Sequence, residues 1–145
     1  MAFKQIADIA GSAMAAQTVR LNTIASNLAN VDSVSGTEAD TYRARKPVFS
    51  AVLESGLGSD FSSDQASAGG KVQVVDVVQS DEPVRKVYDP SHPMANADGM
   101  VFYANVNEVS EMTDMMSASR AFQTNVEVLS RVQSMQQSLL KLGQS

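Results

Sequence analysis

Few residues in this chain could do chemistry. His92 is the sole histidine, in DPSHPM, and there is no cysteine. Disulfides, thiol catalysis and cysteine-based metal sites are therefore excluded, and one turn histidine makes a poor zinc site. No nucleophile stands beside a base, and no carboxylate pair sits in an apolar setting. Gly69 and Gly70 precede Lys71, but the spacing before them is wrong for a phosphate-binding loop and no helix follows. Asp76 interrupts the valine-rich KVQVVDVVQS and reads as an outward residue of a half-exposed strand. The basic run YRARK, residues 42–46, reads as a solvated strand end or loop. With a net charge of −5 and the other basic residues scattered, the chain lacks a nucleic-acid footprint. No enzyme activity, cofactor, metal or small-molecule substrate is expected.

With no reactive centre to position, the elements themselves carry the information. The chain of 145 residues reads as helix, β-rich middle, helix. From Phe3 the apolar series runs Ile6, Ala10, Met14, Leu21, Ile24, Leu28 and Val31 in steps of three and four, with Gln17 in phase. No proline occurs before Pro47. The N-terminal run IAGSAMAA could suggest a signal peptide, but Asp8 and the uninterrupted periodicity make it mature helix. No apolar run reaches the ~18 residues of a transmembrane span, so no membrane insertion is expected.

The second helix opens at NVNEVSEM, with Asn105 (followed by Glu108) or Asn107 as N-cap. Acidic residues come first (Glu108, Glu111, Asp114) and Arg131 and Lys141 late, which complements the helix dipole. Its apolar stripe is Met115, Ala118, Phe122, Leu129, Val132, Leu139 and Leu142, and Gly143 ends it. Between the helices, residues 54–70 are Gly/Ser/Asp-rich and read as a flexible loop. KVQVVDVVQS, VRKVY, MVFY and YRARKPVFSAVL read as strands, the last confined by Pro47 to an edge or bulge. The expected fold is mainly α with a small β part. Residues 1–33 and 105–145 form an antiparallel coiled-coil core, and residues 34–104 form a small β-rich middle domain.

The outward faces of these helices are unusual. RLNTIASNLANVDS spends them on Asn22, Ser26, Asn27 and Asn30 rather than Glu and Lys. The second helix carries only Arg120, Glu127 and Arg131 between Met115 and Ser138. Neutral amides and small side chains tolerate close neighbours without the desolvation cost of buried charge. Met115, Met116 and Met135 adapt to irregular surfaces. Both helices are suited to lateral packing. A single such pair, closing a loop of about 70 residues, is marginal by itself, so frayed termini that order on assembly are expected.

LNTIASNLANVDS and MMSASRAFQTNVEVLSRVQSM resemble the N- and C-terminal signatures of the bacterial flagellar axial proteins: the rod, hook and hook-associated subunits. The longer runs FKQIADIAGSAMAAQTVRLNTIASNLANVDSVSG and YANVNEVSEMTDMMSASRAFQTNVEVL are most similar to a proximal rod subunit, and KVQVVDVVQSDEPVRKVYDPSHPMANADG resembles its central segment. One departure concerns the compact Thr-Gly-Tyr or Pro-Gly-Phe turn of many members, because here TEADT separates Gly36 from Tyr42. The short chain argues against hook and distal rod subunits.

The resemblance implies a structural subunit of the flagellar basal-body rod, exported without a cleaved signal through the flagellar type III apparatus. It implies helical assembly with other rod subunits and copies of itself, and torque transmission across the periplasm. The expected intramolecular seam is Ile6, Leu21, Ile24, Leu28, Val31, Phe122, Leu129, Val132 and Leu139. Expected contacts with other subunits are Asn22, Ser26, Asn27, Asn30, Met115, Met116, Arg120 and Asn125. Another proximal rod subunit is the nearest alternative. An export chaperone is a second, but it would carry charged helix surfaces and no Gly/Ser-rich middle.

Overall fold

The computed structural model describes residues 2–53 and 70–143. Most of the expected loop at 54–70 lies outside these residues; Gly70 itself opens a strand. The elements in chain order are α1 (Ala2–Ala29), β1 (Val34–Ser35), β2 (Arg45–Leu53), β3 (Gly70–Gln79), β4 (Arg85–Tyr88), β5 (Met100–Tyr103) and α2 (Glu108–Leu142). This is the expected order of helix, β-rich middle and helix.

Helix α1 ends at Ala29, short of residue 33, because the Asn30 side chain turns back on it. Asn30 Nδ2 donates to the Ser26 carbonyl at 2.8 Å, and Asn30 Oδ1 accepts from Ser33 Oγ at 3.1 Å. A side chain that bonds the backbone locally competes with helix propagation. At the other end of the middle, Asn107 is the N-cap of α2 and accepts from the Ser110 N–H at 3.1 Å. Asn105 has a different role. Its Oδ1 accepts from Ala44 N–H and its Nδ2 donates to the Glu82 carbonyl, both at 2.7 Å, which ties three segments together before the helix starts.

The β residues form two separate antiparallel sheets, a three-stranded one ordered β1-β5-β4 and the hairpin β2-β3. In the first, Val34 pairs with Tyr103 and Ser35 with Phe102. Strand β1 directly follows α1, and β5 directly precedes α2. Their pairing brings the end of one helix to the start of the other and sends the two off side by side. The β4–β5 connection is built from turn residues: Asn96 Oδ1 accepts from the N–H groups of Asp98 and Met100, and Gly99 has φ +73°. Val101, fully buried, centres this small sheet.

The hairpin pairs Arg45 with Gln79 at its base and Leu53 with Gly70 at its far end, with a bulge at Val48/Phe49 just after Pro47. It lies along α1. Near the helix C-terminus the Arg45 backbone meets Asn27, and near its N-terminus the Val72 N–H donates to Ser12 Oγ at 3.1 Å. Part of the middle region is therefore laid against the first helix.

Helices α1 and α2 pack against each other. Arg20 Nη2 meets Asp114 Oδ1 at 3.1 Å, and Asn27 Nδ2 meets Glu111 Oε2 at 3.1 Å. Moving toward the start of α1 thus means moving along α2, so the helices run in opposite directions. Buried side chains between the layers include Ala10, Ala16, Ile24, Ala118 and Val132. Small residues dominate, which permits close approach of the elements.

Candidate assembly interface

A buried polar cluster surrounds Asn27, which is 1% exposed. Its Nδ2 donates to the Arg45 carbonyl at 2.8 Å and to Glu111. Its Oδ1 accepts from the Arg45 N–H and from the Tyr42 hydroxyl, both at 2.9 Å. Both donors and both lone pairs of the amide are used. The Tyr42 hydroxyl lies 3.2 Å from Ser26 Oγ. One amide therefore joins α1, the start of β2 and the first turn of α2. Only a side chain that both donates and accepts can meet a carbonyl, an N–H, a hydroxyl and a carboxylate at once.

This corrects the expectation that Asn27 contacts other subunits: it is sealed inside the chain. Helical periodicity placed it beside Ser26 without showing that the β2 backbone would return to cover it. Of its partners, Tyr42 is not expected at a site from the sequence, and Glu111 reads there only as one of the acidic residues that open the second helix. The polar type of Tyr42 within YRARK was the only signal, and its partner is distant in sequence.

Of the other expected contact residues, Asn22, Met116 and Arg120 are exposed. Ser26, Asn30, Met115 and Asn125 are half-buried. Along the expected seam, Ile24 and Val132 are buried, while Leu21, Leu28, Val31, Phe122 and Leu129 are half-buried. Ile6, 41% exposed, and Leu139, 52% exposed, are not sealed within the single chain. They belong to the far end of the helix pair, away from the pairing of β1 with β5.

Helix surfaces facing solvent are poor in charge. On α1 the exposed residues Lys4, Asp8, Gly11, Ala15, Thr18, Asn22, Ala25 and Ala29 recur in steps of four and three. On α2 Val109, Met112 and Met116 are exposed in similar steps, and Val109 is 74% exposed. An aqueous monomer gains nothing from three large apolar side chains in a row.

Electrostatics concentrate around the three-stranded sheet. Glu38 holds Lys86 Nζ at 2.8 Å and Arg43 Nη2 at 3.7 Å. The Lys86 hydrogen bond, then its charge, keeps the Glu38 carboxyl below its ordinary pKa. Asp89 is also lowered, first by its hydrogen bond from the Ser91 hydroxyl. Both carboxyls reach solvent; Asp89 ties its own turn, and Glu38 ties the segment after β1 to Lys86 on β4. No group of three or more metal-ligating side chains occurs among the described residues, and none of their helices is long and apolar enough to cross a membrane. The clefts are open; one at the start of α2 is bordered by Asp32, Glu82, Arg85 and Glu108.

Two family models match the ends of the chain. Residues 8–36 match "Flagella basal body rod protein", and residues 97–142 match "Flagellar basal body rod FlgEFG protein C-terminal". Over its whole length the chain is similar to flagellar basal-body rod protein FlgC of Salmonella typhimurium. They share 48% identity over 144 residues, 99% of this chain and 100% of the relative. The chain belongs to the FlgC family of flagellar basal-body rod proteins. The FlgC of Escherichia coli O157:H7 is likewise 48% identical over 99% of this chain and all of its own. That of Bacillus subtilis is 33% identical over 94% of this chain and 95% of its own. The FlgC family is structural, and its members are components of the flagellar basal-body rod. The two matched segments contain α1 from Asp8 onward and all of α2.

Proposed function

We propose that this chain is a proximal rod subunit that leaves the cell through the flagellar type III export apparatus without a cleaved signal. It assembles helically with other rod subunits and with copies of itself. Its two terminal helices then form a coiled-coil core, and the finished rod transmits motor torque. The observation that carries this reading is the pair of long antiparallel helices whose solvent faces include runs of small, neutral and apolar side chains, from Gly11 to Ala29 on α1 and at Val109, Met112 and Met116 on α2.

Export favours a chain with little to unfold. Burying a large aliphatic side chain contributes about 1.5–3 kcal/mol, and α1 and α2 seal few of them between themselves. Beyond the reach of the sheet, Leu139, Leu140 and Leu142 remain exposed. The ends of the helix pair are accordingly loose in the free chain and become ordered when neighbours cover them.

The test is genetic and biochemical. Deleting the gene should abolish rods, and a tagged chain restored on a plasmid should be found in purified basal bodies. Rods in the deletion strain, or a functional chain absent from basal bodies, would defeat the proposal. A charge placed in the helix interface, Leu28→Asp or Leu129→Asp, should block rod assembly and motility.

A further inference from the structure

The hairpin β2-β3 leaves apolar side chains in solvent: Val48, Phe49, Val52, Val75, Val77 and Val78, with Val75 64% exposed. From Pro47 to Leu53 and from Val72 to Gln79, Asp76 is the only charged residue. Strands so rich in valine and so poor in charge are templates for the addition of another strand. We infer that Asp76 guards the edge of this hairpin. Its carboxylate closes the outer side of β3 to an added strand and keeps the exposed valines from growing into cross-β aggregates.

The hairpin's outward amides are met by side chains at successive rungs. Where Val77 pairs with Pro47, the Val77 N–H donates to Asp76 Oδ1 at 2.7 Å and not to the facing strand, so this rung turns its main-chain groups outward. Pro47, on the other side, has no N–H to offer. At the Arg45–Gln79 rung the Arg45 N–H is given to Asn27 Oδ1. Toward the far end, at the Ala51–Val72 rung, the Val72 N–H goes to Ser12 Oγ. Donors that an added strand would need are thus already taken at Arg45, Val72 and Val77, and one is missing at Pro47.

Asn27 and Ser12 belong to α1 and shield the hairpin only while it lies on that helix. Asp76 acts from within its own strand. It sits beside the bulge, where the shift in register leaves Val75 without a partner on β2. A bulge twists the edge and interrupts its regular ladder. Asp76 is exposed, so its charge stays hydrated in the folded chain. A strand laid against β3 would have to strip that carboxylate of water and break its bond to Val77. Stacked copies would also bring identical charges together at the ~4.8 Å cross-β repeat. A neutral side chain at this position would impose neither cost.

The test incubates the purified full-length chain at neutral pH and follows thioflavin fluorescence and sedimentation. Asp76→Val should raise the rate of thioflavin-positive aggregation about fivefold or more, the factor that one net hydrogen bond amounts to. Asp76→Lys keeps a charge on the edge and should stay close to the parent. Adding Val75→Lys to Asp76→Val moves the charge by one residue and should restore the parent's rate. Gly99→Ala weakens the fold away from the hairpin and serves as the comparison, in urea adjusted so that both variants have the same folded fraction. No rise in Asp76→Val, an equal rise in Asp76→Lys, no restoration by Val75→Lys, or the same rise in Gly99→Ala would overturn the inference. Should Asp76→Val fail to fold, Asp76→Asn carries the test, because it keeps an acceptor for Val77 and loses only the charge. Its rate should then lie above the parent's, and a rate equal to the parent's would overturn the inference.

Discussion

The side chains of Asn27 and Glu111 meet at 3.1 Å across the two helices, one 1% exposed and the other 7%. An amide facing a buried carboxylate supplies a donor without adding a second charge. Asn27→Asp would replace that donor with a like charge and orphan the Arg45 carbonyl. The expected loss is about 3 kcal/mol or more of unfolding free energy, measured by urea denaturation. Glu111→Gln keeps an acceptor opposite Nδ2 and should cost clearly less. Equal losses in the two variants would show that the amide does not organise this junction.

Gln17 offers an opposite case. Its Oε1 is buried and has no hydrogen-bond partner among the described residues. An unmet buried acceptor costs about 1–3 kcal/mol. Gln17→Met retains the length of the side chain and removes the acceptor, so it should stabilise the chain by about 1 kcal/mol. A rise in the urea midpoint at unchanged slope is the expected observation.

Gly99 adopts φ +73°, and a Cβ built there would lie 2.9 Å from Tyr88 Cε2 and 3.1 Å from Pro90 Cβ. Gly99→Ala carries both the left-handed backbone penalty and that contact. It should lower stability by about 1–3 kcal/mol, with the β4–β5 sheet opening first in amide exchange.

Glu38 gives a pH prediction. Its carboxyl is lowered from 4.5 by Lys86, first by hydrogen bond and then by charge. A depressed carboxylate pKa stabilises the fold above the unfolded-state value, and the contribution is lost as pH falls through the folded-state value. The thermal midpoints of the parent and Glu38→Gln should therefore differ at neutral pH and converge in acid. Because the group is exposed, added salt should shrink the difference.

Amide exchange on the free chain should show a gradient along α2. Protection is expected to be highest near Glu111 and Ala118, both buried, and lowest over the turns holding Leu139, Leu140 and Leu142, all of which are exposed. Uniform, strong protection to the C-terminus would contradict a chain that orders its ends on assembly.

Much of this architecture was legible in the residues alone. Steps of three and four specified α1 and α2, and charge order with Asn105 or Asn107 as cap located the start of the second helix to within two residues. Valine-rich runs bounded by Pro, Asn and Gly located β2 to β5, whereas the two-residue β1 was not expected. These are local properties, determined by backbone propensity and side-chain period within a few turns. The absence of cysteine and of any base beside a nucleophile likewise argued against catalysis without knowledge of the fold.

The tertiary structure decided which polar residues are inside. Asn22 and Asn27 are chemically identical and lie on the same helix, yet one is solvent-facing and the other is sealed under the β2 backbone and Tyr42. Periodicity assigns a residue to a face of its helix. It carries no information about which distant segment returns to cover that face, because that depends on strand register and on where the chain turns back. Leu139 is a further case, apolar and in phase but 52% exposed: with Asn27 opposite Glu111, the last turns of α2 run past the start of α1, and burial requires a partner element long enough to reach it.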